Sequence, residues 1–161
     1  MTFTEYLKSI NACSDAIEWA ESKTVEEVVA TCHRGDWLLW LASKCDIGLQ
    51  PLTLAKGHCA NTVRHLLKDD RSIKAVDTAI AFGEGRATRE ELDAAYAAAY
   101  AAAYAAAYAY AAYAAAAADA YYDADAAAAI ENRLQTADIC RKYIGDLIIQ
   151  KVNSIINPTQ L

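Results

Sequence analysis

With 161 residues, 22% of them charged and 55% hydrophobic, the chain is most simply one domain, long enough to build a core without staples. Its net charge of -6 excludes general nucleic-acid binding, which needs a basic footprint, while leaving room for one local basic pocket. Five cysteines without a CxxC pair exclude a disulfide framework, so Cys13, Cys32, Cys45, Cys59 and Cys140 read as small buried apolar residues of a reducing compartment.

Residues 1–10 contain Glu5 and Lys8 and lack an apolar signal core, which points to the cytoplasm of a bacterium or of a phage-infected cell. The first ninety residues read as a succession of short helices. Thr2 with Glu5 forms a capping box ahead of Phe3, Tyr6, Leu7 and Ile10. Ser14 is placed to cap a second helix carrying Ile17 and Trp19, and Thr24 with Glu27 opens a third with Val25, Val28, Val29 and Cys32. Gly35 is expected to end that helix and Asp36 to cap the next. In it, Trp37, Leu38, Leu39, Trp40 and Leu41 leave almost no polar face, as suits the buried centre of a domain. After Gly48 and Pro51, Thr53 is the expected cap of a helix with Leu54, Val63, Leu66 and Leu67. Ser72 is the expected cap of one with Ile73, Val76, Ile80 and Phe82.

Residues 94–129 are only Ala, Tyr and Asp, with neither Gly nor Pro, a composition that favours helix because alanine loses no side-chain entropy there. Thr88 and Glu91 make a capping box at its start, and Glu90, Glu91 and Asp93 suit the helix dipole. Tyr96, Tyr100, Tyr104 and Tyr108, four apart, wind slowly round one face and leave much of the opposite arc as bare alanine. A helix of about 40 residues would span roughly 60 Å, against a radius of gyration of about 15 Å for a compact chain of this size. It therefore breaks near residues 119–125 or projects from the body. Tyrosines spread along its length do not suit a membrane span, where they belong at the two interfaces. Ile130, Leu134, Ile139, Ile144, Leu147 and Ile148 mark a final helix or helix pair. No stretch alternates as a strand does.

The reading is a single all-α domain over 1–161, a compact multi-helix bundle or stacked helical hairpins. It comprises a short-helix body at 1–86, a long Ala/Tyr-rich helix at 88–129 and a C-terminal helix or pair at 130–157.

Three sets of residues are candidates for binding. Arg34, Asp36 and Trp37 meet at a helix junction, where they hold an anion or an acidic partner group, or else form a plain cap with an ion pair. His58, Arg64, His65 and Lys68 lie in the most basic part of the chain and line a phosphate pocket or a solvated helix face. Tyr96, Tyr100, Tyr104 and Tyr108 either fill a core or offer the rigid, adaptable aromatic area of a binding surface. Adjacent Cys-His pairs lack metal-ligand spacing, and no oxyanion motif accompanies them, so neither metal, cofactor nor catalysis is expected.

The string His33-Arg34-Gly35-Asp36-Trp37-Leu38-Leu39-Trp40-Leu41, with Gly85-Arg86-Ala87-Thr88-Arg89-Glu90-Glu91-Leu92 before an alanine-rich run and Ala137-Asp138-Ile139-Cys140-Arg141-Lys142 after it, resembles the Imm-5-like immunity proteins of bacteria and phages. That resemblance implies a small helical protein that neutralises something. The functional expectation is a non-enzymatic inhibitor or sequestering protein of microbial conflict, immunity-like or serving phage counter-defence. Its partner is a toxin or defence effector, or the nucleotide signal that activates one. The alternative is a structural module that oligomerises through the Ala/Tyr helix.

Overall fold

The computed structural model describes residues 1–113 and 122–158, with side chains described outside 102–129. The described chain is all-α, as the sequence implies. The helices are α1 (Phe3–Ser9), α2 (Ser14–Trp19), α3 (Val25–Thr31), α4 (Gly35–Lys44), α5 (Leu49–Asn61), α6 (Asp70–Gly83), α7 (Arg89–Tyr113), α8 (Tyr122–Cys140) and α9 (Asp146–Ile156). A 3₁₀ turn (Arg64–Leu66) follows α5, and a π-helical turn (Arg141–Gly145) joins α8 to α9 in one helical run. Of the expected break at 119–125, residues 119–121 lie outside the described residues, and 122–125 form the start of α8.

All three expected capping boxes form. In each, the threonine hydroxyl accepts from the N3 backbone and the glutamate accepts from the cap N–H: Thr2 with Glu5, Thr24 with Glu27, and Thr88 with Glu91. Removing one orphan-donor partner costs about 1 kcal/mol. Thr24→Ala is accordingly expected to lower the thermal midpoint by about 2–4 °C for a chain of this size, measured by circular dichroism, without altering the fold.

Four other start signals are corrected. Cys13, not Ser14, is the N-cap of α2, and Ser14 donates to Asp15 instead. Gly35 opens α4 rather than closing α3, and Asp36 pairs with Arg34 instead of capping. α5 starts at Leu49, with Pro51 in its first turn, where a missing N–H costs nothing; Thr53 is a buried residue inside the helix. α5 also ends earlier than its apolar pattern implies, because the Thr62 hydroxyl takes the Cys59 carbonyl, and Leu66 beyond it is exposed. Asp69, not Ser72, caps α6 through the Arg71 N–H.

The main core gathers Phe3, Tyr6 and Leu7 of α1, Val25, Val28 and Val29 of α3, Leu38 and Leu41 of α4, and Ile144, Ile148 and Val152 of the C-terminal run. α4 shares this centre with the C-terminal run through Leu38 and Ala42, but it is not buried all round as its sequence implies, because Trp37, Leu39 and Trp40 are only half-buried. A smaller cluster of Ala79, Phe82 and Leu92 binds α7 to α6. Close approach is needed between α5 and α6, where a Cβ on Gly83 would stand 2.4 Å from the Leu54 Cβ and one on Gly57 2.9 Å from Ile80.

Cys32, Cys45, Cys59 and Cys140 are buried as expected, but Cys13 is exposed. The Cys59 and Cys140 sulfurs lie 3.9 Å apart between α5 and α8, and Cys140 also donates to the Gly35 carbonyl at 3.5 Å. The neighbouring Cys59 and burial together push the Cys140 thiol up and keep it protonated.

Candidate functional site

The junction between α3 and α4 is held from outside. Arg141, the first residue of the π turn, donates to the carbonyl of Cys32 at 2.7 Å and to that of Val29 at 3.4 Å. These are carbonyls that the end of α3 leaves without helical partners. The Cys32 thiol donates to the Arg34 carbonyl at 3.4 Å. With the linker fixed in this way, Arg34 turns back on Asp36 in a two-pronged ion pair, Nε to Oδ1 at 2.8 Å and Nη2 to Oδ2 at 2.5 Å. The Arg34 guanidinium holds the Asp36 carboxyl below the usual carboxylate range. The same guanidinium lies 4.7 Å from the centre of the Trp37 ring.

Trp37 belongs to an aromatic group that sequence spacing does not reveal. Its ring lies 6.1 Å from Trp19 of α2, and His33 stands edge-on to Trp19 at 5.8 Å. Trp19 thereby ties α2 to α4. α2 has six residues and none is fully buried. On either side of it the backbone passes through the left-handed region, at Asn11 (φ 59°) and Ser22 (φ 65°), turns that set the short helix across the body.

Beneath α2 lies a pocket of about 440 Å³. Trp19 and Ala16 line it from α2 and Trp37 and Trp40 from α4; Phe3, Leu7, Val28 and Leu38 are among its apolar lining, and Asn11, Cys13 and Asp36 also border it. All three tryptophans of the chain thus face one space. Among the expected site residues, Asp36 and Trp37 line it and Arg34 braces both. Trp19 and Trp40 were not anticipated; an indole at each of three positions in an otherwise tryptophan-free chain is the signal that would have found them.

The basic segment is arranged differently. Arg64 forms a bidentate pair with Asp77 of α6, at 2.5 and 2.9 Å, and His58 stacks flat on Tyr143, with centroids 4.5 Å apart. Both His65 and Lys68 are exposed, and none of the four lines the tryptophan pocket.

On α7, Leu92 and Ala95 are buried, while Tyr96 is 44% and Tyr100 72% exposed; the alanines divide between the two sides, with Ala94, Ala97 and Ala101 exposed. Tyr104 and Tyr108 lie outside the described side chains. Among the described residues, no three His, Cys, Asp or Glu side chains gather as a metal-binding group, and no helix is long and apolar enough to cross a membrane. No family model matches the chain, nor does any curated protein or solved structure.

Proposed function

We propose that the chain is a non-enzymatic sequestering protein of microbial conflict, which binds a small activating signal in the pocket beneath α2. The observation that carries this reading is the convergence of Trp19, Trp37 and Trp40 on one cavity of about 440 Å³, a size and an apolar character typical of small-molecule sites. The resemblance of the Trp-containing block to the Imm-5-like immunity proteins supports the setting, in the cytoplasm of a bacterial or phage-infected cell. A second reading draws on the exposure of Tyr96 and Tyr100: an effector protein docks on the outer face of α7, steered by the net charge of -6 toward a basic surface.

Native mass spectrometry of protein purified from its own or an infected host separates these readings. Sequestration is expected to show a small-molecule mass increment, with the molecule released intact when the protein is denatured. Release of a chemically altered molecule would instead mean turnover, and a retained polypeptide would favour the α7 face. A protein that carries nothing would sink the pocket reading.

A further inference from the structure

Resting on the pocket reading above, we infer that the pocket binds a neutral, planar aromatic ring and recognises neither a cation nor a phosphate. The argument is electrostatic. Each indole already carries one of the protein's own cations over its ring: Lys23 on Trp19 at 4.6 Å, Arg34 on Trp37 at 4.7 Å and Lys44 on Trp40 at 5.7 Å. The attraction of the ring quadrupole for positive charge is thus met from within the protein, and a cationic ligand would meet three like charges nearby. Asp36 is the only charged side chain lining the pocket among the described residues, and Arg34 neutralises it. An anion gains little from the same three cations, because none of them lines the pocket to bond it and repay its desolvation. Arg34 is held by Asp36 and Trp37, and Lys23 by the Trp19 carbonyl.

What remains favourable is an uncharged ring lying edge-on or offset against the indoles, the geometry aromatic pairs prefer. Such a ring has two sources, a nucleobase or a simple aryl compound. A nucleotide would bind by its base with its phosphates outside. α2, which supplies one wall of the pocket, has no fully buried residue and is bounded by the turns at Asn11 and Ser22.

The indole N–H signals of the ¹⁵N-labelled full chain, one from each tryptophan, report on the pocket directly. The probes are benzyl alcohol, adenosine, AMP and benzyltrimethylammonium. At least one of the two neutral probes is expected to shift the three indole signals saturably, and which of them does so identifies the source. Adding charge is expected to raise affinity by no more than about threefold and is free to lower it, whether AMP is set against adenosine or the ammonium against benzyl alcohol. Ala16→Leu, which fills the α2 wall with a side chain on a half-buried position, is expected to weaken binding by about tenfold or more while the rest of the spectrum keeps its dispersion.

A charged probe binding about tenfold tighter than its neutral counterpart would overturn the inference. So would indole signals unmoved by every probe, or an Ala16→Leu variant that binds like the parent. A host-purified protein carrying a molecule without an aromatic ring would reject the ring and leave sequestration standing. Ring binding by a protein that retains nothing from its host would do the reverse.

Discussion

Gly35→Ala is expected to destabilise the protein by about 3 kcal/mol, although a glycine-to-alanine change within a helix ordinarily stabilises it by roughly 0.5–1 kcal/mol. The sign reverses because the first turn of α4 lies directly on α8: the new Cβ would stand 2.4 Å from the Thr136 Oγ1 and 2.6 Å from the Thr136 carbonyl carbon. A hydroxyl can rotate away, but the backbone carbon cannot move without shifting α8. Urea denaturation is the measurement, with a lower midpoint and an unchanged slope expected. Gly48→Ala is the control. There the nearest atom to a new Cβ is the Pro51 Cδ at 3.8 Å, an ordinary contact, so stability should move by less than about 1 kcal/mol. A Gly35→Ala protein as stable as the parent would show that α4 and α8 are not packed as described.

This junction also explains which parts of the molecule the sequence discloses. Capping boxes are written in residues three apart, and a bond between neighbours needs no tertiary information, so Thr2, Thr24 and Thr88 could be read directly. At the start of α7, the inward Leu92 and Ala95 and the outward Tyr96 and Tyr100 follow from helical geometry alone. Gly35 reads as the end of α3, but its reason is Thr136, 101 residues away in the sequence. The same holds for the pocket. Arg34, Asp36 and Trp37 stand out because they are contiguous, whereas Trp19 joins them only when α2 folds across, an event that no periodicity encodes. α4 reads as buried all round because five large apolar residues follow one another; the structure buries Leu38 and Leu41 of the five, sets two tryptophans on the pocket walls, and shares the core with a four-residue repeat in the C-terminal run. Proximity in sequence made Arg64 and His58 look like one site. In space, Asp77 and Tyr143 draw them to separate partners.

That four-residue repeat leads to the second large expected effect. Ile144, Ile148 and Val152 follow one another at i, i+4 and are 0–1% exposed, against the core sides of α1 and α3. Ile148→Ala is expected to cost about 4 kcal/mol, the transfer term for the lost methyl groups together with a cavity that the surrounding helices cannot fill. On the same helix Ile155 is 42% exposed, and Ile155→Ala should change stability by no more than about 0.5 kcal/mol, since alanine's better helix propensity offsets the small loss of contact. Denaturant unfolding of the pair checks the contrast, and equal effects would contradict the orientation of α9. The two large losses also differ in what they do to binding. Ile148 is not among the residues lining the pocket, so at temperatures where Ile148→Ala remains folded its indole signals and probe affinity should match the parent within about twofold. Gly35→Ala displaces a residue flanked by Arg34 and Asp36 and bonded through its carbonyl to Cys140, so probe affinity should fall along with stability. Parallel loss of binding in both variants would mean that the pocket tracks global stability alone; loss in Gly35→Ala only would locate the binding geometry at the α4–α8 contact.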